Sequence, residues 1–310
     1  MDTQQSLYSV IIPVFNGEKT IEILSVELQQ LFDSRNEKFE LIFVFDCGNE
    51  EAWQKILKLK AKSPSSITGI RLSKNYGQHN ATICGIKHSK GKFIITMDED
   101  LQHPPSEITK LIEQQIKTNA CVVYGKYNEL KHSFFRNLTS KLAGKLLQKS
   151  IPGLHPDFTS FRLIKRKIAL EITKMNNSYT FLDGYITWTT NNVTSIRVEH
   201  NNREIGKSAY GISKLIRHTS NIFFTFSYAP IRIVSILSMF FFLSTSSYVI
   251  YILLRKLIYN DLVKGYASII IFSGLGIAAI LFGISVLGEY VYRVNEKTTQ
   301  KPNFIEQEEI

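Results

Sequence analysis

Two stretches of the chain carry no charge at all: Ile233 to Leu254 and Gly265 to Gly288. Each exceeds the roughly 20 residues an α-helix needs to cross a bilayer. Arg232 and Arg255-Lys256 bound the first, and Lys264 and Glu289 bound the second. A buried core helix of that length, apolar all round, would need a larger protein around it than 310 residues provide. Two membrane spans near the C-terminus are therefore expected, about 231–254 and 266–288. The opening "MDTQQSLYSV" has neither the basic start nor the apolar core of a secretion signal. The N-terminal domain is thus expected to face the cytoplasm, at the inner (cytoplasmic) membrane of a multi-pass protein, with the C-terminus returned to the same side. The positive-inside count supports this only in part. Lys207, Lys214, Arg217, Arg232, Arg293 and Lys297 favour it, while Arg255, Lys256 and Lys264 fall in the opposite loop.

Ahead of the spans, short β-branched runs alternate with helical patterns. Tyr8–Phe15, Glu40–Asp46, Ile67–Ser73, Lys92–Asp98 and Cys121–Tyr127 read as strands. Helices are expected near Glu18–Ser34, Glu51–Ala61, Gln78–His88 and Ser106–Lys117. "FTSFRLIKRK" and "VTSIRVEHN" read as further strands. Such alternation implies an α/β domain, a mostly parallel sheet with helices on both faces, whose ligands bind at the carboxyl ends of strands. Residues 212–230 suit an interfacial amphipathic helix, with an ordinary amphipathic helix packed on the domain as the alternative. The tail, 293–310, is polar, and after Lys297 it is expected to be loose.

The fourth strand ends in "MDEDLQHPP". If the strand persisted, Asp98 and Asp100 would face one site and Glu99 would point elsewhere. Two carboxylates so placed suit a hard divalent cation such as Mg²⁺ or Mn²⁺; a D-x-D alone equally suits an acidic cap on the next helix. The net charge of +10 fits anionic lipid or phosphorylated substrates. No interleaved basic-aromatic pattern points to nucleic acid. Three widely spaced cysteines, Cys47, Cys84 and Cys121, read as reduced thiols and argue against a disulfide frame or a zinc site. His79, His103, His132 and His155 lack ligand spacing and read as surface or substrate-edge residues, and Asn75, Tyr76 and Gln78 sit at a strand exit.

"SVIIPVFNGE", "LIFVFD", "RLSKNYGQHNA", "MDEDLQHPP", "VVYGKY", "FTSFRL" and "REIGKSAYGISKL" follow in that order. Together they resemble glycosyltransferase family 2, and within it the polyisoprenyl-phosphate glycosyltransferases, over nearly all of residues 6 to 295. The resemblance implies a GT-A catalytic domain (1–211) that takes a nucleotide-diphosphate sugar and passes the sugar to a polyprenyl phosphate lipid, with Mg²⁺ or Mn²⁺ as cofactor. It implies that Pro13, Phe15, Asp46, Asn75 and Asp98 hold the nucleotide sugar, and that Asp98, Asp100 and Gln102 hold the metal and diphosphate. Lys126, Arg136, Ser140, Arg203, Ser208, Tyr210 and Lys214 would take the acceptor phosphate. Asp98, Asp100, Asp157 and Arg203 would be the catalytic set, with Asp157 a base or a sugar contact.

The family's pattern departs at one place. Paired acids usually follow the second strand, and here Phe45 precedes Asp46. Phe45 either alters the base and ribose contacts or turns into the core. It motivates the alternative of a degenerate transferase acting as a membrane scaffold. A processive polysaccharide synthase would need a Q-x-x-R-W motif, and no Arg-Trp pair exists beside Trp53 or Trp188. The sugar, the nucleotide and the oligomeric state, a homo-oligomer included, are left open.

Overall fold

The computed structural model describes residues 7–127, 148, 151–177, 179–199, 201, 220–227, 229–259, 265–298 and 302–310. Its centre is an eight-stranded sheet. The first half is built from β1 (Tyr8–Val14), α1 (Ile21–Ser34), β2 (Phe39–Phe45), α2 (Glu50–Lys62), β3 (Ile67–Leu72), α3 (Gln78–His88) and β4 (Phe93–Thr96). A 3₁₀ turn at Pro105–Glu107 leads into α4 (Ile108–Thr118), followed by β5 (Val122–Tyr127), β6 (Arg162–Lys165), α5 (Arg166–Thr173), α6 (Leu182–Thr189) and β7 (Val193–Val198). Two long helices, α7 (Ala229–Tyr259) and α8 (Tyr266–Thr298), precede a final strand, β8 (Glu306–Glu309). The strand order is β7-β5-β6-β4-β1-β2-β3-β8. β4, β1, β2 and β3 run parallel, while β6 and β8 pair antiparallel with their neighbours.

Period-two patterning divides the core. Val10, Ile12, Val14, Leu41, Phe43 and Phe45 face one layer with α1, α2 and α4, whereas Ile11, Ile42, Val44, Ile70 and Leu72 face the other with α3, α5 and α6. Alternate side chains of a strand leave on opposite faces, so each run of aliphatics serves two helix layers. The helices answer with their own period: α1 buries Ile21, Leu24, Leu28 and Phe32. Phe45 belongs to this interior. It is 1% exposed and packs 5.8 Å from the Trp53 ring. Core packing is the reading that holds for it.

Several expectations need correction. The fourth strand stops at Thr96, short of Asp98, and Leu101 takes a left-handed φ of 60°. The Asp98–Asp100 segment is therefore a turn, and the strand-alternation argument for aligning the two carboxylates fails. "FTSFRLIKRK" gives only the four residues of β6 before α5 begins at Arg166. The end of the tail, residues 302–310, is not loose. β8 pairs with β3 through Ile70, Arg71 and Leu72, and Ile310 exchanges backbone hydrogen bonds with Gly69 at 3.2 and 2.9 Å. The space a Gly69 side chain would fill is taken by Ile56 and Ile310. Acid-rich β8 leaves the outer edge charged, which discourages further strand pairing.

α7 and α8 hold apolar stretches, Ala229–Tyr248 and Phe272–Asn295, long enough to cross a membrane. Only 7% and 6% of these stretches are buried, so they are not core helices of the domain. Ile236, Phe240 and Ile280 are each more than 60% exposed. The helical residues 220–226 connect the two parts. Ile222 and Phe226 are buried, and the Phe226 ring lies 4.8 Å from Trp188 and 5.7 Å from Phe181. Arg293 of α8 donates to Thr225 Oγ1 at 2.8 Å, and Tyr290 Oη to the Ser227 carbonyl at 3.1 Å. This part packs on the domain; residues 212–219, the rest of the expected interfacial helix, lie outside the described residues.

Candidate active site

The carboxyl ends of β4, β1 and β2 converge, and acids following β4 and β2 hold the loops after β1 and β3 in place. After β4, the Glu99 carboxylate accepts from the Phe15 and Asn16 backbone N–H groups at 2.9 and 3.1 Å. The sequence gives no sign of this role for Glu99, which joins the acidic turn to the loop after β1. Burial, with the charges of Asp100 and Asp98, pushes its carboxyl up, and the two backbone donors oppose this. After β2, Asp46 accepts from the Tyr76 and Gly77 backbone N–H groups at 2.6 and 2.8 Å. It is buried, and burial raises its carboxyl. Asp46 thus clasps the loop between β3 and α3, and only its remaining lone pairs are open to a ribose. Cys47 follows with a left-handed φ of 51°, and Gly48 packs so tightly on the Phe15 carbonyl that no side chain fits.

Asp98 is positioned from three sides. Gln78 Nε2 donates to Oδ1, Ser160 Oγ donates to Oδ2 at 2.7 Å, and the backbone N–H faces His103 Nδ1 at 3.5 Å. His103 is 3% exposed and stacks on Phe161 with ring centroids 5.1 Å apart, which corrects its reading as a surface residue. Asp100 Oδ1 accepts from the Gln102 backbone N–H at 3.2 Å, and the Gln102 carbonyl accepts from Asn201 N. Both carboxylates are half-buried. Their oxygen-only donor set, backed by the Gln102 carboxamide, fits Mg²⁺ or Mn²⁺. Pro13 lies in β1, while Phe15 and Asn75 are exposed, with Asn75 Oδ1 accepting from Gly77 N.

Residues 157–160 face both this turn and β5. Asp157 Oδ1 lies 2.9 Å from Lys126 Nζ, and Oδ2 accepts from Ser195 Oγ at 2.8 Å. Burial alone would raise the Asp157 carboxyl. The Lys126 and Ser195 hydrogen bonds and the Lys126 charge outweigh it, leaving the group below the usual carboxylate range. Asp157 thus pairs with Lys126 and Ser195 across the ends of β5 and β7. Beneath the segment, Thr96 Oγ1 donates to the Ser160 carbonyl, Arg162 Nε donates to Thr96 Oγ1, and Arg162 pairs with Asp183, which also accepts from Tyr124 Oη. Arg136, Ser140, Arg203, Ser208, Tyr210 and Lys214 lie outside the described residues.

Ser160, Glu99 and His103 were missed as positioning groups. Ser160 stands in the quoted "FTSFRL" run, but only the antiparallel pairing of β6 with β4 brings it to Asp98.

Residues 9–173 match the glycosyl transferase family 2 pattern. The chain belongs to glycosyl transferase family 2. It is similar along its whole length to a Bacillus subtilis protein named uncharacterized glycosyltransferase YkcC, at 28% identity over 97% of this chain and 93% of that one. It is likewise similar to the undecaprenyl-phosphate 4-deoxy-4-formamido-L-arabinose transferase of Shewanella sediminis, at 29% identity over 97% and 91% of the two chains. Among solved structures it resembles glucosyl-3-phosphoglycerate synthase from Mycobacterium tuberculosis, solved with Mn²⁺, uridine-diphosphate-glucose and phosphoglyceric acid. That match has a TM-score of 0.52 at 15% identity, covering 72% of this chain and 79% of the other. The fold is thus GT-A-like, with two C-terminal apolar helices added.

Proposed function

We propose that this transferase moves a sugar from a nucleotide-diphosphate donor, a UDP-sugar first among them, to a polyprenyl phosphate, undecaprenyl phosphate in particular, at the cytoplasmic face of the inner membrane. The observation that carries the reading is one chain joining an acid-bearing turn at the carboxyl end of β4 to two helices whose apolar side chains face outward. The names of its full-length relatives support the lipid acceptor. The polyprenyl chain cannot leave the bilayer, so the catalytic domain must be held against the headgroup layer. In this scheme residues 1–211 form the catalytic domain, 212–230 the interfacial region, 231–292 the membrane pair and 293–310 a cytoplasmic end.

In the proposed mechanism Phe15, Asn75 and the loops clasped by Asp46 and Glu99 receive the nucleotide. Asp98, Asp100 and Gln102 would hold a divalent cation, which supplies positive charge for the departing diphosphate. Gln78 and Ser160 fix the rotamer of Asp98, so little reorganisation is needed during reaction. The acceptor is a phosphate monoester whose second pKa is near 6, already ionised at neutral pH. It needs positioning more than deprotonation. Lys126, held by Asp157, and Arg136, Ser140, Arg203, Ser208, Tyr210 and Lys214 are assigned to that task. Attack of the lipid phosphate oxygen on the anomeric carbon, opposite the leaving diphosphate, gives one in-line displacement and inverts the centre.

The test is transfer by detergent-solubilised protein to undecaprenyl phosphate from a labelled panel of nucleotide sugars with Mg²⁺ or Mn²⁺. Transfer from one donor, lost with chelator and in Asp100→Asn, supports the proposal. Absence of both transfer and nucleotide binding would replace it with the scaffold reading, although Phe45 in the core removes that reading's first motive.

A further inference from the structure

α3 carries Cys84 and His88 four residues apart, hence on one helix face, and β8 lays Glu306 beside that face. A Cys84 Sγ, a His88 ring nitrogen and a Glu306 carboxylate oxygen all lie within 4.8 Å of one another. His88 stands between two carboxylates, with Nε2 3.1 Å from Glu306 Oε2 and Nδ1 3.2 Å from Glu309 Oε1. Nε2 is buried and makes no aligned hydrogen bond despite that short approach. A neutral imidazole with its proton on Nδ1, facing Glu309, would set the Nε2 lone pair against a carboxylate. Something positive belongs between them. An imidazolium would serve both carboxylates, and Lys87 Nζ lies 3.4 Å from Glu306 Oε1, but a metal ion would serve all three converging donor atoms at once.

We propose that Cys84, His88 and Glu306 form a site for a Zn²⁺-class metal ion that pins the C-terminal strand to the sheet, with Glu309 as the outer carboxylate orienting His88. Thiolate, imidazole and carboxylate form a borderline-soft set suited to Zn²⁺ or Co²⁺, with water as the fourth ligand. The Asp98 and Asp100 turn, all oxygen, suits harder ions. A carboxylate on the far nitrogen of a metal-bound imidazole fixes its tautomer and raises its basicity. Burial pushes the Cys84 thiol up, and Glu306 adds to this, so coordination would release a proton from sulfur. Cysteine spacing could not show the site, since it uses a single cysteine and a carboxylate from the far end of the chain.

The clasp has a mechanical consequence. β8 follows α8, and the Ile305 carbonyl accepts from Ser73 N at the entrance to the loop that Asp46 holds. A metal here would tie the end of the membrane helices to the edge of the donor site. The inference stands whether or not the acceptor is a lipid phosphate.

The experiment uses the full chain in detergent, stripped with chelator and titrated with Co²⁺, then with Zn²⁺. Thiolate ligation gives a sulfur-to-Co²⁺ charge-transfer band that an all-oxygen site cannot produce. The expected result is a band saturating at one equivalent and displaced by Zn²⁺. It is retained in Asp100→Asn, lost in Cys84→Ser and weakened at least tenfold in affinity in Glu306→Gln. Glu306→Gln lies on an edge strand and decides the matter if Cys84→Ser does not fold. No band in the wild-type protein overturns the proposal, as does a band whose affinity is unchanged in both Glu306→Gln and His88→Ala.

Discussion

The α/β domain and the helix pair use the same apolar residue types in opposite ways. In the domain, Val10, Ile11, Ile12 and Leu24 are fully buried between sheet and helices. On α7 and α8, Ile236, Phe240 and Ile280 stand outward. Charges follow the same division. The domain keeps buried ions, such as Arg162 with Asp183, but surrounds them with partners, while Ile233–Leu254 and Gly265–Gly288 of the helices carry no charge. The difference teaches that each part suits a different solvent, and that the acidic turn sits on the part suited to water.

Breaking the domain's side of the contrast gives the largest effect. Arg162→Met leaves Asp183 buried without its cationic partner, and losing one partner of a buried pair costs about 3–5 kcal/mol. A large drop in the thermal midpoint in detergent is expected, together with loss of transfer as Thr96 and Ser160 shift. On the helix side, Ile280→Lys places a charge on an outward-facing position, at about 2.5–3.5 kcal/mol for a mid-membrane site. The fraction of protein retained in membranes after an alkaline wash should fall. An unchanged fraction would place this face of α8 against water or protein.

Glu99→Gln sharpens the contrast within the site. One carboxamide oxygen cannot serve the Phe15 and Asn16 amides as two carboxylate oxygens do, and a hydrogen bond to a charged group contributes roughly 1.5–3 kcal/mol. Donor KM should rise about tenfold or more while membrane retention stays constant.

The smallest effect belongs to Asp157→Asn. The folded-state carboxyl lies below its unfolded value, so the native form is stabilised above the unfolded pKa, and this gain is lost as pH falls through the folded value. Because the Lys126 side chain is 46% exposed, the gain is under about 1 kcal/mol at neutral pH. Melts of the two proteins should differ slightly at pH 7 and converge in acid. A steep change in the pH dependence of kcat would instead revive Asp157 as a base.

How legible was this in the sequence? The strands through Tyr127 and the helices between them followed from aliphatic period and helical spacing, because both faces of the sheet are covered and local pattern matches burial. Asp98, Asp100 and Asp46 were legible as acids ending apolar runs. Their hydrogen bonds were not. The clasp of Asp46 on Tyr76 and Gly77 spans a strand and a loop, and the Ser160 contact to Asp98 depends on β6 pairing against β4. β8 escaped notice because "EQEE" has no apolar alternation. Its place is set by Ile305 and Ile310 at either end and by Lys87 and His88 across from Glu306 and Glu309, contacts that exist only once the sheet is formed.

The most direct measurement is the paired transfer assay, wild type against Asp100→Asn, with undecaprenyl phosphate and each nucleotide sugar in turn. The account predicts divalent-dependent transfer from one donor, reduced roughly 10²–10³-fold or more by the substitution, as for loss of one preorganised transition-state stabiliser. Transfer undiminished in Asp100→Asn would contradict the assignment of the acidic turn, and with it the central claim.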